Sequence, residues 1–583
     1  MGDAALRVRW LGSVAYRESW SLQQAIHRRA LAVAASGAVP DDHLLLLEHP
    51  PTLTLGRQAD PANLLVGRDT DRFDVLDVDR GGDVTYHGPG QLVAYPLLGL
   101  PGKGAGDLPD TPAYVCMLEG VLIDVVRAAG VDAVGRLPGY PGVWVDPDGP
   151  RPRKVAAVGV RIVAGRTMHG VALNVDPDLS HFEAIVPCGI TEHGVTSLAA
   201  EGAAVDLRTV VDAFVTRFVA AWAPPEWDRA EVVWCTDPTG ADLADFSRLG
   251  GLGASVADAD AGPSPGGRAG AVSVRLRGRL ESAGVRVGDG GVERKPEWMR
   301  VPLRHDAAVL GVKRTVADLD LVTVCEEAGC PNLSECWSEG TATFMLCGER
   351  CTRACGFCLV DTRHPEALDE GEPERVAEAV ARMALDHAVL TMVARDDLAD
   401  GGADHVARTV RAVRDRAPDC SVEILVSDLG GDAAALATVL DARPAVLNHN
   451  VETVPRLQRA VRPSAGYARS LTVLGRAAAT DVVVKSGLIV GMGERLDEVH
   501  ATLVDLAAVG VEVVTVGQYL RPTVRHLPVD RWWRPEEFDE LAEFGRSVGL
   551  RHVESSPFTR SSHHARASYL AALAARTEAP AWG

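Results

Sequence analysis

The stretch CEEAGCPNLSECWSEGTATFMLCGERCTRACGFC, residues 325–358, holds seven of the chain's eleven cysteines. Cysteines this close together in a large protein of a reducing compartment more often bind metal or take part in chemistry than form disulfides. Six of them form two groups of three. The first group is Cys325, Cys330 and Cys336, with four and five residues between neighbours. The second group is Cys351, Cys355 and Cys358, with three and two residues between neighbours.

The grouping of the cysteines in threes distinguishes an iron–sulfur cluster site from a structural zinc site. A structural zinc site takes four ligands, usually as closely spaced pairs, so each group of three is one ligand short. An iron–sulfur cube held by three thiolates keeps one iron open for another ligand. The spacing therefore favours iron–sulfur clusters, and a zinc-binding or redox scaffold is the alternative. Cys347 and Cys420 stand outside both groups and are expected to be small buried hydrophobic residues.

The composition describes a soluble protein of more than one domain, with 583 residues, 46% of them hydrophobic and 24% charged. We find no run of eighteen apolar residues, and the start MGDAALRVRW has no signal-peptide pattern. We therefore expect a cytoplasmic protein without a membrane partner. A formal net charge of -20 argues against a nucleic-acid partner, because phosphate binding needs a basic surface.

Residues 236–273 change the character of the sequence, as in GLGASVADADAGPSPGGRAG. This segment has too little apolar surface to fold, so we predict a flexible linker between domains at 1–235 and 274–583. The first domain mixes strand patterns such as KVAAVGVRIVAGR with helical patterns such as LRTVVDAFVTRFVAAW, which predicts an α/β domain around a mixed sheet. The second domain alternates helical and strand patterns, which predicts a parallel sheet closed into a full or partial barrel.

From about residue 274 onward, the motifs RDDLADGGADH, NHNVETVPRL, VVKSGLIVGMGE and TRSSHHA join the two cysteine groups. Together they resemble lipoyl synthase, a family of radical S-adenosylmethionine enzymes with a partial (β/α) barrel. The resemblance implies two [4Fe-4S] clusters and S-adenosyl-L-methionine as cofactors, with an electron donor as a partner. The second cysteine group would hold the cluster that binds S-adenosyl-L-methionine. The first group, in an extension before the barrel, would hold an auxiliary cluster with Ser562 as its fourth ligand.

By the same resemblance, a deoxyadenosyl radical removes hydrogen from carbons six and eight of a protein-bound octanoyl chain, and the auxiliary cluster supplies two sulfur atoms. Side-chain bases cannot remove such unactivated hydrogens, which agrees with a radical cofactor. A radical S-adenosylmethionine thiolation enzyme with another substrate is an alternative. For Ser562, the alternative is a polar surface tail whose serines cap a turn.

Asn450 and Glu452 follow the apolar strand in AVLNHNVET. We therefore expect them at the mouth of the barrel, where they would contact the cofactor. The alternative is an asparagine that caps a loop and a glutamate on the surface.

The first half holds four glycine-rich motifs: DRGGDVTYHGPGQ (79–91), KVAAVGVRI (154–162), MHGVALNV (168–175) and VPCGITEHGVTSL (186–198). Between about residues 6 and 225 they resemble the octanoyltransferases, which share the fold of biotin and lipoate ligases. The resemblance implies Cys188 as nucleophile and Lys154 as its partner. The implied substrate-binding residues are Arg80, Gly81, Gly82, Asp83, Val84, Thr85, Tyr86, His87, Ala157, Val158, Gly159, Gly170, Val171 and Ala172.

The pair of Cys188 and Lys154 also makes chemical sense, because a neighbouring ammonium favours the reactive thiolate form of a cysteine. Cys188 would take an octanoyl group from acyl carrier protein as a thioester and pass it to a lysine of a carrier domain. His87 has three possible roles: it lines the acyl pocket, aids proton transfer or braces a turn. An ATP-dependent lipoate ligase is the alternative for this half, and the absence of a Walker-type loop from the sequence does not decide between them.

The product of the first half would be the substrate of the second. The sequence therefore predicts a bifunctional enzyme of lipoate biosynthesis. Its expected partners are octanoyl-acyl carrier protein and the lipoyl carrier domains of 2-oxoacid dehydrogenases and the glycine cleavage system.

Overall fold

The computed structural model describes residues 4–103, 108–234, 279–285, 295–299, 307–327, 330, 332–338, 343–523 and 525–578. It divides into two compact units, residues 1–238 and 239–583. The linker predicted at 236–273 lies outside the described residues, so the two predicted boundaries, at 235/236 and 273/274, stay a prediction.

The first unit is built on a nine-stranded mixed sheet and a small three-stranded sheet. Its strands are β1 (Leu6–Ser13), β2 (Asp42–Glu48), β3 (Thr52–Leu55), β4 (Asp74–Asp77), β5 (Val84–His87), β6 (Gln91–Leu97), β7 (Val134–Leu137), β8 (Tyr140–Val145), β9 (Arg153–Val163), β10 (Arg166–Asn174), β11 (Gly194–Val195) and β12 (Trp227–Glu231). Its helices are α1 (Tyr16–Ala35), α2 (Thr111–Ala128) and α3 (Leu207–Trp222), with short 3-10 turns at Pro61–Asn63, Leu179–Ala184 and Pro187–Gly189.

The large sheet has the order β12-β1-β2-β6-β10-β9-β8-β7, with β11 beside β9, and the small sheet has the order β4-β3-β5. Strand β2 carries four consecutive buried leucines, as expected for a strand covered on both faces. Helices α2 and α3 pack on the sheet through side chains such as Leu118 and Phe214, both fully buried. The mixed sheet predicted for this half is confirmed.

The second unit is built on a seven-stranded parallel sheet. Its strands are β13 (Thr343–Leu346), β14 (His387–Met392), β15 (Ser421–Leu425), β16 (Val446–Asn448), β17 (Val483–Val490), β18 (Val513–Gln518) and β19 (His552–Ser555). Its helices are α4 (Ala307–Asp318), α5 (Val324–Glu327), α6 (Leu333–Ser338), α7 (Glu372–Met383), α8 (Ala403–Arg416), α9 (Ala433–Asp441), α10 (Gln458–Val461), α11 (Tyr467–Ala477), α12 (Leu496–Ala508), α13 (Pro535–Ser547) and α14 (Ala565–Glu578). Short 3-10 turns lie at Glu297–Met299, Leu429–Gly431 and Pro455–Leu457.

The seven strands follow one another in chain order, and every neighbouring pair is parallel. Within the described residues, β13 and β19 end the sheet and do not pair with each other, so the sheet is a partial barrel. This confirms the predicted fold class. All loops that follow the strands meet at one edge of such a sheet, which is where active sites form in barrels of this kind.

A buried ion pair crosses the parallel sheet. Lys485 Nζ lies 2.9 and 3.1 Å from the two carboxylate oxygens of Glu423, and both side chains are fully buried. Asn448 Nδ2 donates to the same carboxylate at 2.9 Å. Burial, the largest single influence, raises the pKa of Glu423, but Lys485 and His387 together outweigh it and lower that pKa to about 2.

Replacing Lys485 with methionine is expected to lower the free energy of unfolding at pH 7 by about 3–5 kcal/mol, because it leaves a buried carboxylate without its counter-charge. The folded-state pKa of Glu423 is depressed, so this stabilisation is present above about pH 4.5 and is lost as the pH falls toward 2. The denaturant midpoints of wild type and variant should therefore converge on acidification. Lys313→Met, which removes an exposed partner 3.9 Å from Glu326, is the control. A midpoint shift no larger than that of the control would contradict the prediction.

Candidate active sites

The first unit contains a cavity of about 450 Å³ that is lined by both Lys154 and Cys188. All the predicted substrate-binding residues line it except Val84 and Tyr86. These two lie on β5, where alternate side chains point to opposite faces. Thr85 and His87 face the cavity, while Val84 and Tyr86 pack into the apolar cluster beside the small sheet.

Lys154 and Cys188 meet in this cavity. Lys154 Nζ lies 3.4 Å from Cys188 Sγ and 5.2 Å from the centre of the Trp144 ring. Lys154 enters from β9, where it is 8% exposed. A Cβ at Gly142 would stand 3.0 Å from Lys154 Cε and 2.5 Å from a backbone oxygen, so the lysine has room because that position is glycine.

Cys188 occupies a strained backbone position. It lies in the turn Pro187–Gly189 with a φ of 57°, in the left-handed region that residues other than glycine rarely adopt. Such positions concentrate at functional sites, where the surrounding structure holds them. The turn thereby presents the thiol to the cavity beside the Lys154 ammonium.

Arg80 supplies a second positive charge. It lines the cavity and is 7% exposed, and it donates to Thr54 O at 2.6 Å and to Gly81 O at 3.0 Å. Burial lowers the pKa of Arg80, and the neighbouring Tyr16 and Cys188 oppose that shift. Among the described residues no carboxylate lies within ion-pair distance of this guanidinium. The arrangement suits a site where negative charge develops during the reaction.

Sequence reasoning missed several cavity residues. Tyr16, Tyr95 and His169 line the cavity, together with Gln58, Tyr140 and Ile190. Burial raises the pKa of Tyr16 to about 12. His169 lies inside the motif MHGVALNV, but the tyrosines stand in stretches without a local signal. Only the packing of α1 and β6 around β10 brings them to the cavity.

In the second unit, Cys351, Cys355 and Cys358 lie in the loop after β13. Burial raises the pKa of Cys355 to about 11, and the nearby charges of Arg462, Cys351 and Glu452 also act on it. Burial likewise raises the pKa of Cys358, with Cys355 and Cys351 as neighbours. The three thiols are thus close enough to influence one another at the edge of the barrel. Three converging, half-buried cysteines fit an iron–sulfur cluster.

Asn450 and Glu452 lie beside this cysteine loop. Asn450 Nδ2 donates to Glu452 Oε1 at 3.0 Å and to Ser561 Oγ at 2.6 Å. Burial raises the pKa of Glu452, and Arg462 opposes that shift. The structure thus places both predicted cofactor-binding residues at the barrel edge, and it places neither on an exposed surface loop.

The first cysteine group lies near the carboxyl-terminal segment. Asn332, between Cys330 and Cys336, donates through Nδ2 to Phe558 O at 2.7 Å. The charges of Cys330 and Glu452 both influence the pKa of Arg560, so this arginine lies near both cysteine groups.

Ser562 stands in the sequence between two residues that contact this region. Its neighbour Ser561 is bonded to Asn450, and His563 Nε2 lies 3.9 Å from Glu335, next to Cys336 in the sequence. The structure thus brings Ser562 into the neighbourhood of the first group. The side chain of Cys325 lies outside the described residues. Cys347 and Cys420 are buried, as expected.

Comparison with known protein families assigns a class to each unit. Residues 15–219 match the lipoyl protein ligase A/B catalytic domain, and residues 345–506 match the radical SAM superfamily. The chain is 51% identical over 290 residues to the lipoyl synthase of Symbiobacterium thermophilum, covering 49% of this chain and 91% of that protein. It is 48% identical over 299 residues to the lipoyl synthase of Mycobacterium leprae, covering 51% and 95%. The chain therefore belongs to the lipoyl synthase family, fused to a catalytic domain of the ligase A/B class.

Solved structures resemble the units at low identity. Lipoate-protein ligase A bound with ATP gives a TM-score of 0.32 at 16% identity, over 39% of this chain and 89% of that one. Methylornithine synthase gives a TM-score of 0.30 at 14% identity, over 41% and 69%. Among the described residues, no helix combines the length and the apolar character needed to cross a bilayer.

Proposed function

We propose that this chain carries out two consecutive steps of lipoate biosynthesis. The first unit transfers an octanoyl group from acyl carrier protein to a lysine of a lipoyl carrier domain through a thioester on Cys188. The second unit inserts two sulfur atoms at carbons six and eight of that chain. The observation that carries the first step is the 3.4 Å contact between Lys154 Nζ and Cys188 Sγ inside the cavity.

In the transfer, the Lys154 ammonium stabilises the thiolate of Cys188, which attacks the thioester carbonyl of the donor. The bond from the carbonyl to the carrier-protein sulfur breaks, and that sulfur leaves as a thiol after taking a proton. The lysine amine of the carrier domain then attacks the Cys188 thioester, an amide forms, and the Cys188 thiol is released. Arg80 stabilises the negative charge on the carbonyl oxygen at each attack.

The contact between Lys154 and Cys188 favours a transferase over an ATP-dependent ligase. A ligase activates a free acid as a mixed anhydride and has no need of a cysteine nucleophile. In this chain the thiol is held at the cavity by a strained turn and faces a buried ammonium. Both features serve a covalent acyl-enzyme.

For sulfur insertion, we propose that two [4Fe-4S] clusters and S-adenosyl-L-methionine bind at the barrel edge. Cys351, Cys355 and Cys358 would hold one cluster; Cys325, Cys330, Cys336 and Ser562 would hold the other. When bound, these groups supply the radical that removes hydrogen and the sulfur that replaces it. Asn450 and Glu452 orient S-adenosyl-L-methionine through their linked amide and carboxylate.

The proposal also covers the linker, the carrier domains, the electron donor and the cellular compartment. It includes a linker at residues 236–273 between domains at 1–235 and 274–583, as the composition of that segment predicts. The carrier domains are those of 2-oxoacid dehydrogenases and the glycine cleavage system, an electron donor reduces the second unit, and the reaction takes place in the cytoplasm.

One anaerobic incubation tests both steps. The protein is mixed with octanoyl-acyl carrier protein, apo carrier domain, S-adenosyl-L-methionine and a reductant, and the carrier domain is analysed by intact mass. The expected result is a gain of one octanoyl group, followed by replacement of two hydrogens by two sulfurs. A carrier domain that gains the mass of octanoyl but no sulfur would support only the first step. A carrier domain that gains no mass from octanoyl-acyl carrier protein would contradict the proposed transfer.

Replacing Lys154 with alanine tests the pairing at the cavity. The rate at which iodoacetamide alkylates Cys188 at pH 7 is expected to fall about tenfold, because the thiolate loses its neighbouring positive charge. The rate in strongly alkaline buffer, where the thiol is ionised in either protein, should be unchanged. Lys103→Ala, at an exposed lysine, is the control. Equal alkylation rates at pH 7 in wild type and Lys154→Ala would assign Lys154 a purely structural role.

A further inference from the structure

Three buried imidazoles, those of His49, His87 and His169, surround Tyr16 in the first unit. The ring centres of Tyr16 and His49 lie 4.9 Å apart, those of Tyr16 and His87 5.6 Å, and those of His49 and His87 5.5 Å. Burial lowers the pKa of His49 to about 4, that of His169 to about 3, and that of His87 well below its usual range. Each ring is therefore neutral near pH 7, with one N–H donor and one nitrogen lone pair.

Two of these imidazoles are fully paired. His49 Nδ1 donates to a backbone carbonyl oxygen at 2.6 Å, so its lone pair is on Nε2, where the Tyr95 hydroxyl lies at 2.8 Å. His169 Nε2 donates to Asp79 Oδ1 at 2.7 Å, so its lone pair is on Nδ1, where the Tyr16 hydroxyl lies at 3.4 Å. Each tyrosine hydroxyl has a single proton to donate. The proton of Tyr95 is engaged with His49, and that of Tyr16 is engaged with His169.

A chain of hydrogen bonds fixes the proton of His87. Asn174 Nδ2 donates to Thr196 O at 2.9 Å, so Asn174 Oδ1 accepts from Gln91 Nε2 at 2.9 Å. Gln91 Nε2 also donates to Tyr86 O at 3.1 Å, which leaves Gln91 Oε1 as the acceptor 2.8 Å from His87 Nδ1. The proton of His87 is therefore on Nδ1 and the lone pair is on Nε2.

His87 Nε2 has no hydrogen-bond partner among the described residues, although it is buried and its side chain lines the cavity. A buried acceptor without a donor is costly, so native structures rarely leave one unpaired. Both nearby tyrosine hydroxyls are engaged with the other two histidines. Because His87 lines the cavity, the contents of the cavity can supply the missing donor.

The position of His87 indicates which part of the substrate it meets. A Cβ at Gly189, next to Cys188, would stand 2.7 Å from Asp83 Oδ2, so Asp83 lies beside the nucleophile turn. His87 is four residues farther along β5, roughly 13 Å at the rise of an extended strand. An extended eight-carbon acyl chain on Cys188 reaches about this depth. His87 therefore borders the far end of the chain.

We propose that His87 Nε2 is a specificity-determining acceptor for a hydrogen-bond donor on the last carbon of the acyl chain. The cavity would then take eight-carbon acyl groups that end in a hydroxyl or a thiol, in addition to octanoyl. The inference rests on the proposed acyl transfer at Cys188. The bonds made and broken are those of octanoyl transfer, and the terminal hydroxyl or thiol does not react.

A competition experiment tests this inference. Octanoyl- and 8-hydroxyoctanoyl-acyl carrier protein are offered at equal concentration with apo carrier domain, and intact mass gives the ratio of the two products. In wild type the hydroxylated group is expected to transfer at least as well as octanoyl. In His87→Leu the ratio of hydroxylated to octanoyl product should fall about tenfold, the size of one lost hydrogen bond. His43→Leu is the matched control, since His43 is also a buried imidazole but is not among the residues lining the cavity.

Each result decides the inference. A wild-type ratio about tenfold in favour of octanoyl would overturn it even if His87→Leu fails to fold, because a hydroxyl buried without an acceptor is penalised. An unchanged ratio in His87→Leu, or an equal fall in His43→Leu, would also overturn it. If wild type transfers octanoyl normally in those cases, only the role of His87 is lost. If wild type transfers neither group, the proposed function of Cys188 fails as well.

Discussion

Replacing Cys188 with serine is expected to lower the rate of octanoyl transfer from acyl carrier protein by roughly a thousandfold or more, as loss of a covalent nucleophile does elsewhere. A serine hydroxyl is almost wholly protonated near neutral pH, and the neighbouring Lys154 ammonium cannot act as a base for it. Sulfur insertion into a carrier domain that already bears octanoyl should continue at nearly the wild-type rate. Both activities are read from the mass of the carrier domain.

The separation of effects follows from the structure, because Lys154 and Cys188 belong to the first unit and all the proposed cluster ligands belong to the second. Cys116→Ser is the matched control, since Cys116 is an exposed cysteine of the first unit on helix α2. It should retain both activities. Loss of sulfur insertion in a folded Cys188→Ser protein would refute the independence of the two sites, and transfer at the control rate would remove Cys188 from the reaction.

Replacing Ser562 with alanine is expected to abolish lipoyl formation while 5′-deoxyadenosine is still produced from S-adenosyl-L-methionine. The substitution leaves the group of Cys351, Cys355 and Cys358 untouched, so cofactor cleavage should survive. It removes the one oxygen ligand proposed for the auxiliary cluster, whose sulfur is the substrate. Both small-molecule and carrier products are measured in one anaerobic assay, together with the iron content of the protein.

Two further serine variants sharpen this test. Ser547→Ala, at an exposed serine bonded to its own helix α13 through Phe544 O at 2.7 Å, should behave as wild type. Ser561→Ala removes the acceptor of the 2.6 Å bond from Asn450, and is expected to weaken binding of S-adenosyl-L-methionine while lipoyl is still formed at saturation. If Ser561→Ala loses lipoyl formation and Ser562→Ala does not, the ligand assignment must pass from Ser562 to Ser561. Loss of both products in Ser562→Ala would show damage beyond the auxiliary site.

Local patterns in the sequence were enough to predict much of this protein. Alternation of helical and strand patterns predicted the parallel sheet of the second half, because side-chain periodicity reflects which face of an element is buried. The cysteine spacing placed six thiols in two groups, since ligands within a few residues of one another are forced to be neighbours. The family resemblance that the glycine-rich motifs carry predicted most of the residues that line the cavity of the first unit. The residue roles and the domain boundaries stay predictions.

The tertiary structure decided which distant residues meet. Lys154 and Cys188 are thirty-four positions apart, and Asn450 and Ser561 are one hundred and eleven apart. Strand register placed Thr85 and His87 in the cavity and turned Val84 and Tyr86 away, although all four stand in one motif. The free lone pair of His87 follows from hydrogen bonds between β5, β6 and β10. The sequence by itself determined the local elements and the chemistry of each motif, whereas the contacts between motifs depend on long-range packing that no local pattern encodes.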